Sequence, residues 1–396
     1  MMLMRVDGKD FTGFTNIGLS KSIDTICDQF TVTQTADQAF SFPIPQGAEI
    51  EFLIEDVVSF TGIVEKISGS YSATSYSVSA FGRDDTKAIL KTDLKPKFAI
   101  RGPISLKSVI AKTLAEHSID LEVVDETGEN LGFTEKEVLT DDVGSKIFDF
   151  FDSITSKLQV LLSKNNEGQL TIIRPQQKKY KTVLKTLIDD VNSENNIVSA
   201  EFDFDESEMV REYNYYSQIG VTVAKGSPPN PLTGELSRKD LIDWTNTSGQ
   251  AINDSISDGE CHKVAEHPSD AQECEKLAKW ESNNARVKAT SYSCVVPFLL
   301  IDGEPYDTGV IVRVYDEIAK IDSDMLITGV EYSASRDENG RATEDVSLTM
   351  TIPDGYGLDA SELPQSKQNN RIGRNWKKRE QTVEPEPFFP PYEEFA

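Results

Sequence analysis

The sequence predicts a mainly β protein in which an α/β module separates two β domains. Three observations carry that reading. Apolar residues alternate with their neighbours, the period of a half-buried strand, at Ile50, Phe52 and Ile54 and again at Phe60, Gly62 and Val64. Helical spacing takes over further on, where Val109, Ile110 and Leu114 and then Ile147, Phe151 and Ile154 recur at one face. Alternation returns at Val310, Val312 and Val314 and at Val346, Leu348, Met350 and Ile352.

Residues 1–90 read as the first β domain. Phe11 to Val32 gives an extended segment, a pivot at Gly18 and a strand ending in Phe30 and Val32. Ile50, Phe52 and Ile54 alternate with Glu49, Glu51 and Glu55, so one face of that strand is wet. Thr61 to Asp85 reads as a hairpin, with Tyr76, Val78 and Ala80 on its second arm and Gly69-Ser70 as its turn. Gly82-Arg83-Asp84-Asp85 then leaves the sheet and hands over to Ala88, Ile89 and Leu90. Arg83 and Asp84 are expected to pair with each other or to cap that turn. Strands alternating so cleanly suit a barrel or sandwich whose other face meets solvent or a lumen.

Residues 91–190 read as the α/β module. Ser105 is placed to cap a helix carrying Leu106, Val109, Ile110, Thr113, Leu114 and His117. A second helix is expected from about Val143 to Lys157, followed by a hairpin with Val160 to Leu162 and Leu170 to Ile173 as arms and Asn165 to Gly168 as turn. The Lys178, Lys179, Lys181 run reads as a solvated strand end or a rim between subunits.

Residues 191–356 read as the second β domain, with an insertion at about 226–286. Ile197 to Phe204, Val210 to Tyr216 and Val221 to Ala224 are expected strands. Pro228, Pro229 and Pro231 open a polar stretch that reads as projecting loops up to about Pro268. Ser269 is placed to cap a helix to about Arg286, and strands follow at Tyr292 to Val296, Val310 to Val314, Met325 to Ser333 and Glu344 to Ile352. Residues 357–396 lack periodicity and read as an extended strap or a disordered tail. A basic block from Arg371 to Arg379 precedes an acidic, Pro-rich end. Its aromatics, Trp376, Phe388, Phe389, Tyr392 and Phe395, are candidate anchors for a partner.

Composition narrows the function. The chain has 396 residues, long enough for two to four domains with real cores, and 38% hydrophobic and 27% charged residues fit a globular protein. A formal net charge of −26 argues against non-specific nucleic-acid binding, which needs clustered Lys and Arg. No apolar run is long enough to span a bilayer, and the first ten residues lack the basic and apolar regions of a signal peptide. Cys27, Cys261, Cys274 and Cys294 form no C-x-x-C pair and read as free thiols of a reducing compartment.

Catalytic motifs are missing. The three histidines, His117, His262 and His267, form no H-E-x-x-H, and neither a G-x-S-x-G elbow nor a P-loop occurs. With 66 acidic residues, any carboxylate pair is more readily a solvated surface than a glycosidase dyad. Cys261, His262, His267 and Cys274 are zinc-ligand types within one short segment. The plainer reading is a surface loop plus a buried helix cysteine. Cys261 and His262 are adjacent and point apart in an extended chain, His267 precedes Pro268, and Cys274 falls on the apolar side of a helix. No metal and no cofactor is expected.

Two motifs then carry a resemblance. The first is Gly8, Phe11, Thr12, Gly13 and Phe14, followed by Ser22, Ile23, Asp24 and Phe30; the second is Thr61 and Gly62, followed by Gly82, Arg83 and Asp84. Their order and spacing resemble the baseplate hub proteins of contractile-tailed phages, of the kind known from phage Mu and related to hubs of type VI and other phage-like injection machines. The α/β module and the final "helix, strand, valine strand, hairpin, Ile-Pro-Asp" order extend the resemblance over roughly residues 4 to 356.

That resemblance implies two hub-type β-barrel domains per chain and a homotrimer that adapts a sixfold tail tube to a threefold central spike. The implied partners are the chain itself, the tube protein, the spike and other baseplate proteins. The implied location is the virion baseplate, after synthesis in the host cytoplasm. No catalysis, membrane binding or specific nucleic-acid binding is implied, although DNA would pass through the ring. A wall facing that DNA should lack basic clusters, and the strand carrying Glu49, Glu51 and Glu55 is one candidate for it. The alternative from another class is a tail-associated peptidoglycan hydrolase, and a second alternative is the equivalent hub of a type VI or other phage-like injection machine.

Overall fold

The computed structural model describes residues 1–36, 42–72, 74–96, 98–129, 131–133, 138–140, 144–158, 160–165, 168–174, 178–188, 194–217, 248–264, 271–336 and 342–353. The chain opens with β1 (Met2–Val6), β2 (Lys9–Phe11), β3 (Asn16–Ser22), β4 (Gln29–Ala36), β5 (Glu49–Ile54), β6 (Val57–Tyr71) and β7 (Tyr76–Arg83). Alternation sets the burial as expected: Ile50, Phe52 and Ile54 are fully buried. The β6–β7 turn differs from the sequence reading. Gly69 and Ser70 stay in the strand opposite Val78 and Ser77, and the chain reverses at Ser72 to Ser75, where the Ser72 amide donates to the Ser75 carbonyl at 2.8 Å. A serine backbone turn thus lengthens the hairpin beyond the glycine that marked its end.

The next stretch holds α1 (Lys87–Lys91), β8 (Ile100–Arg101), β9 (Ile104–Ser105), α2 (Leu106–Glu116), β10 (Val123–Asp125), β11 (Gly132–Phe133), β12 (Val138–Leu139), α3 (Ile147–Leu158), β13 (Leu161–Lys164) and β14 (Leu170–Ile173). Ser105 caps α2, its hydroxyl accepting from the Ser108 amide at 3.3 Å. The apolar stripes of α2 and α3 meet in a second core with Leu170 and Ile172. Val143, Asn166 and Glu167 lie outside the described residues.

The remainder holds β15 (Lys179–Thr186), β16 (Ser199–Phe204), β17 (Glu212–Tyr216), β18 (Ser248–Ile252), β19 (Glu260–Val264), α4 (Ala271–Lys288), β20 (Thr290–Val296), β21 (Leu300–Ile301), β22 (Glu304–Pro305), β23 (Ile311–Asp316), β24 (Ile321–Arg336) and β25 (Ala342–Thr351). The stretch read as projecting loops is partly regular. β18 and β19 flank β17, and the small core under them takes in Tyr213, Ala251, Cys274 and Ala278. Gly249 makes the fit possible, since a Cβ there would stand 1.9 Å from the Glu275 amide nitrogen of α4. Val221 to Ala224, Pro228, Pro229, Pro231, Pro268, Ser269 and the Asp337 to Gly340 turn lie outside the described residues.

Among the described residues, thirteen strands share one sheet whose main path runs β16-β20-β25-β24-β3-β4-β7-β6-β5-β1-β2. The chain is therefore mainly β with α+β parts. The two expected barrels are not separate closed objects, because the path is open and β24 serves both halves. β24 pairs first with β23 and then with β3 on the same chain run, shifting register between Ile327 and Gly329. At the β15 edge the Asn196 side chain takes a strand's place, accepting from the Lys185 amide at 2.6 Å and donating to the Val183 carbonyl at 2.8 Å.

The two halves repeat one topology. In spatial order they run β16-β20-β25-β24 and β3-β4-β7-β6. In each, the first and second strands are neighbours, the third is at the far end, and the fourth fills the gap. β24 and β6 also share a register shift midway, between Ile327 and Gly329 in one and between Val64 and Lys66 in the other. The halves are joined head to tail, β24 against β3. One continuous core lies beneath both, and Phe30, Phe52 and Phe60 meet there with ring centroids 5.6 to 5.8 Å apart.

Candidate functional site

The first sequence motif ties the two halves together. Phe14 is buried, and the Arg336 guanidinium at the end of β24 lies over its ring at 4.6 Å. Arg336 also donates to the Thr12 carbonyl at 3.0 Å, and its amide donates to the Thr15 carbonyl at 2.8 Å. Phe11 packs half-buried against the same core, and the Gly13 position meets its ring at ordinary contact distance. Ser22 closes β3 opposite Gly329, and the buried Ile23 donates its amide to the Thr328 carbonyl at 2.8 Å.

The second motif is explained by close approach. A Cβ on Gly82 would stand 2.2 Å from the Ile63 carbonyl oxygen and 2.5 Å from the Phe30 ring. One on Gly62 would stand 2.6 Å from the Phe60 ring. Thr61 is exposed, opposite Glu51. Both glycines let an aromatic ring approach the backbone closely.

Arg83 and Asp84 do not pair with each other. Arg83 donates to Glu65 at 2.7 Å, and Lys91 binds the same carboxylate. Burial by itself raises the Glu65 pKa, but the hydrogen bonds from Arg83 and Lys91 outweigh it and hold it down at about 2. Asp84 is fully buried. It accepts from the Thr86 amide at 2.8 Å, which caps the turn into α1 as the sequence implied, and from the Asp28 amide at 3.1 Å. The Lys164 ammonium of β13 stands 3.5 Å away. Asp84 thus pins the sheet to the neighbouring α/β core. No local pattern marked Glu65, Asp28, Lys164 or Arg336, because each acts across a long stretch of chain.

The wet face of the sheet is unlike the rest of the molecule. Across β25, β24, β3 and β4 inward residues such as Leu348, Tyr332, Leu19 and Val32 are fully buried. Their outward neighbours form rows such as Thr33–Asn16–Ser335–Thr343 and Thr31–Gly18–Ser333–Asp345. Where these four strands run side by side the face carries Glu331 and Asp345 but no Lys or Arg, in a chain that is 27% charged; Asp322 and Asp324 follow on the first part of β24, against Arg313 of β23. A shallow trough of about 450 Å³ runs along it beside Gly18, Thr31 and Ser333. Hydroxyls and amides line a broad surface that offers hydrogen bonds but no cation.

Residues 1–84 match the Mu phage baseplate assembly protein GpP-like family, N-terminal domain. The motifs read from the sequence lie in that domain. Over 90% of the chain the fold is similar to that of solved phage tail proteins. A 43 kDa tail protein of prophage MuSo2 from Shewanella oneidensis superposes with a TM-score of 0.72 at 20% identity, over 90% of this chain and 99% of the other. The tail protein from Neisseria meningitidis MC58 gives 0.71 at 15% identity, over 90% and 98%. A type VI secretion component from E. coli, described as similar to the T4 bacteriophage tail proteins gp27 and gp5, gives 0.50 at 10% identity over 88% and 76%. No curated protein sequence matches.

Other sequence candidates lie away from these motifs. Cys261 packs on the small core under α4, and Cys274 is fully buried in it. His262 lies on the opposite sheet face, stacked on Tyr216 at 5.9 Å and 3.2 Å from Glu260. A strand separates adjacent residues to opposite faces, so Cys261 and His262 do not converge. His267 lies outside the described residues, as do Trp376, Phe388, Phe389, Tyr392 and Phe395. Lys178 and Lys179 form exposed ion pairs with Glu304 and Asp324, each at 2.5 Å. Among the described residues, no helix is long and apolar enough to cross a membrane.

Proposed function

We propose that the chain is the hub of a contractile-tail baseplate, a homotrimer that adapts a sixfold tube to a threefold spike. The observation that carries this reading is the head-to-tail repeat of one four-strand topology, β16-β20-β25-β24 followed by β3-β4-β7-β6. Three chains with two equivalent units each present six similar units, so a threefold assembly offers a sixfold face. The match of residues 1–84 to a Mu baseplate family supports the same reading.

In this reading the domains are residues 1–90, 91–190, 191–356 with an insertion at about 226–286, and a strap from 357. The hydroxyl face is the wall of the DNA passage, in place of the Glu49, Glu51 and Glu55 strand. Lys and Arg would hold phosphates and impede passage, and this face has neither on its middle four strands. The strap docks on a neighbouring hub chain or another baseplate protein through its aromatics. Truncation after Gly357 then leaves a folded chain that assembles poorly with the baseplate. The protein performs no catalysis, and a zymogram clearing peptidoglycan would favour the hydrolase reading instead.

Electron microscopy of the purified assembly tests the proposal. End-on views should show a ring of six similar lobes with threefold modulation. Compact particles without a central opening would refute it.

A further inference from the structure

We infer that the joint between the two halves of one chain recurs between chains, with the far part of β6 in one copy pairing with β16 of the next. This rests on the ring reading above and adds to it the strands, the direction and the register. The internal joint pairs β24, beyond its register shift, with β3. The equivalent of β24 is β6, and the equivalent of β3 is β16. Among the described residues, β6 beyond Val64 pairs only with β7, and β16 pairs only with β20. Both free edges are exposed along their length, from Lys66 to Tyr71 and from Ser199 to Phe204. Such edges are templates for further pairing.

The repeat fixes the register. In the first half Leu19 pairs with Phe30, which pairs with Gly82; in the second, Phe202 pairs with Tyr292, which pairs with Met350. Phe202 therefore corresponds to Leu19. Likewise Lys66 follows its register shift as Gly329 follows the other. The internal pairs Gly329–Ser22, Val330–Lys21, Tyr332–Leu19 and Ala334–Ile17 translate to Lys66–Asp205, Ile67–Phe204, Gly69–Phe202 and Tyr71–Ala200 between copies.

That translation accounts for the exposed apolar residues at both edges. Phe202 and Phe204 are 44% and 37% exposed and stack on each other at 5.7 Å, while Ile67 and Tyr71 are 39% and 85% exposed. Their counterparts at the internal joint, Leu19, Lys21, Val330 and Ala334, are all buried. The pairing places Phe202 between Ile67 and Tyr71 and sets Lys66 opposite Asp205. Eight strands alternate in direction from β16 to β6. A rotation about an axis along the strands keeps directions, so the new joint is antiparallel, like the other seven. The hydroxyl face then continues from copy to copy.

The test is disulfide trapping in the full chain. Ser70→Cys with Glu201→Cys places thiols directly opposite in the inferred register, within the reach of a disulfide across antiparallel strands. Ser70→Cys with Asp205→Cys is the displaced control. Cys27, Cys274 and Cys294 are buried and stay silent, and the half-buried Cys261 is present in both the matched pair and the control. The matched pair should give covalent rings of three chains on a non-reducing gel, and the control should give at least about tenfold less. Phe202→Asp, at an exposed position, should leave the melting curve unchanged and weaken assembly by about tenfold or more. Absence of cross-links in the matched pair, or equal trapping in the control, overturns the inference. If the wild-type chain is still a trimer in that case, the ring reading survives without this joint; a stable dimer removes the ring reading itself.

Discussion

The Asp84 carboxylate and the Lys164 ammonium stand 3.5 Å apart with both side chains shut away from solvent, at 0% and 7% exposure. They join a residue at the end of β7 to one at the end of β13, and so join the large sheet to the α/β core. Removing one partner leaves the other charge buried without compensation. Asp84→Ala should destabilise the chain by about 3–5 kcal/mol in urea denaturation. A loss under about 1 kcal/mol would show that the pair holds nothing together.

The motif glycines should differ sharply. Gly82→Ala drives a methyl into the Ile63 carbonyl and the Phe30 ring. A cost of about 3 kcal/mol or more is expected from thermal melts. Gly13→Ala meets nothing nearer than 3.4 Å and should stay within about 1 kcal/mol of wild type. Equal effects would mean that the motif is conformational rather than a matter of close approach.

Asp28 carries a pH dependence. Burial, with the charges of Asp84 and Asp307 against those of Lys21 and Lys164, pushes its carboxyl up from 3.8 to about 7. The folded chain therefore keeps a proton that the unfolded chain releases between those values. Stability contributed by this group is greatest at the acid side of the window and is lost as pH rises toward 7. Asp28→Asn should flatten that slope and raise stability at pH 8 by about 1 kcal/mol. Denaturation midpoints measured from pH 4 to pH 8 decide it; an unchanged slope would remove Asp28 as its source.

The sequence made the strands legible wherever one face is buried and the other wet. Ile50, Phe52 and Ile54, or Val346, Leu348 and Met350, alternate because the sheet has a single core beneath it. It also carried the glycines of the second motif, since Gly62 and Gly82 are fixed by local crowding. What it hid depends on distance. The Arg336–Phe14 contact and the Asp84–Lys164 pair bring together residues whose neighbours give no sign of them. The β6–β7 turn was misplaced because Gly69 serves strand pairing, and serine backbone groups close the reversal. Beside the expected β17, the strands β18 and β19 over α4 were missed because their outer face, with Gln250, Glu260 and His262, is as polar as a loop.

The trimer is the centre of this account, and native mass spectrometry of the purified chain at moderate salt tests it most directly. The predicted result is a species of three times the 44.0 kDa chain mass, either alone or once the spike protein is added. A stable dimer, or a monomer that the spike leaves a monomer, would contradict it.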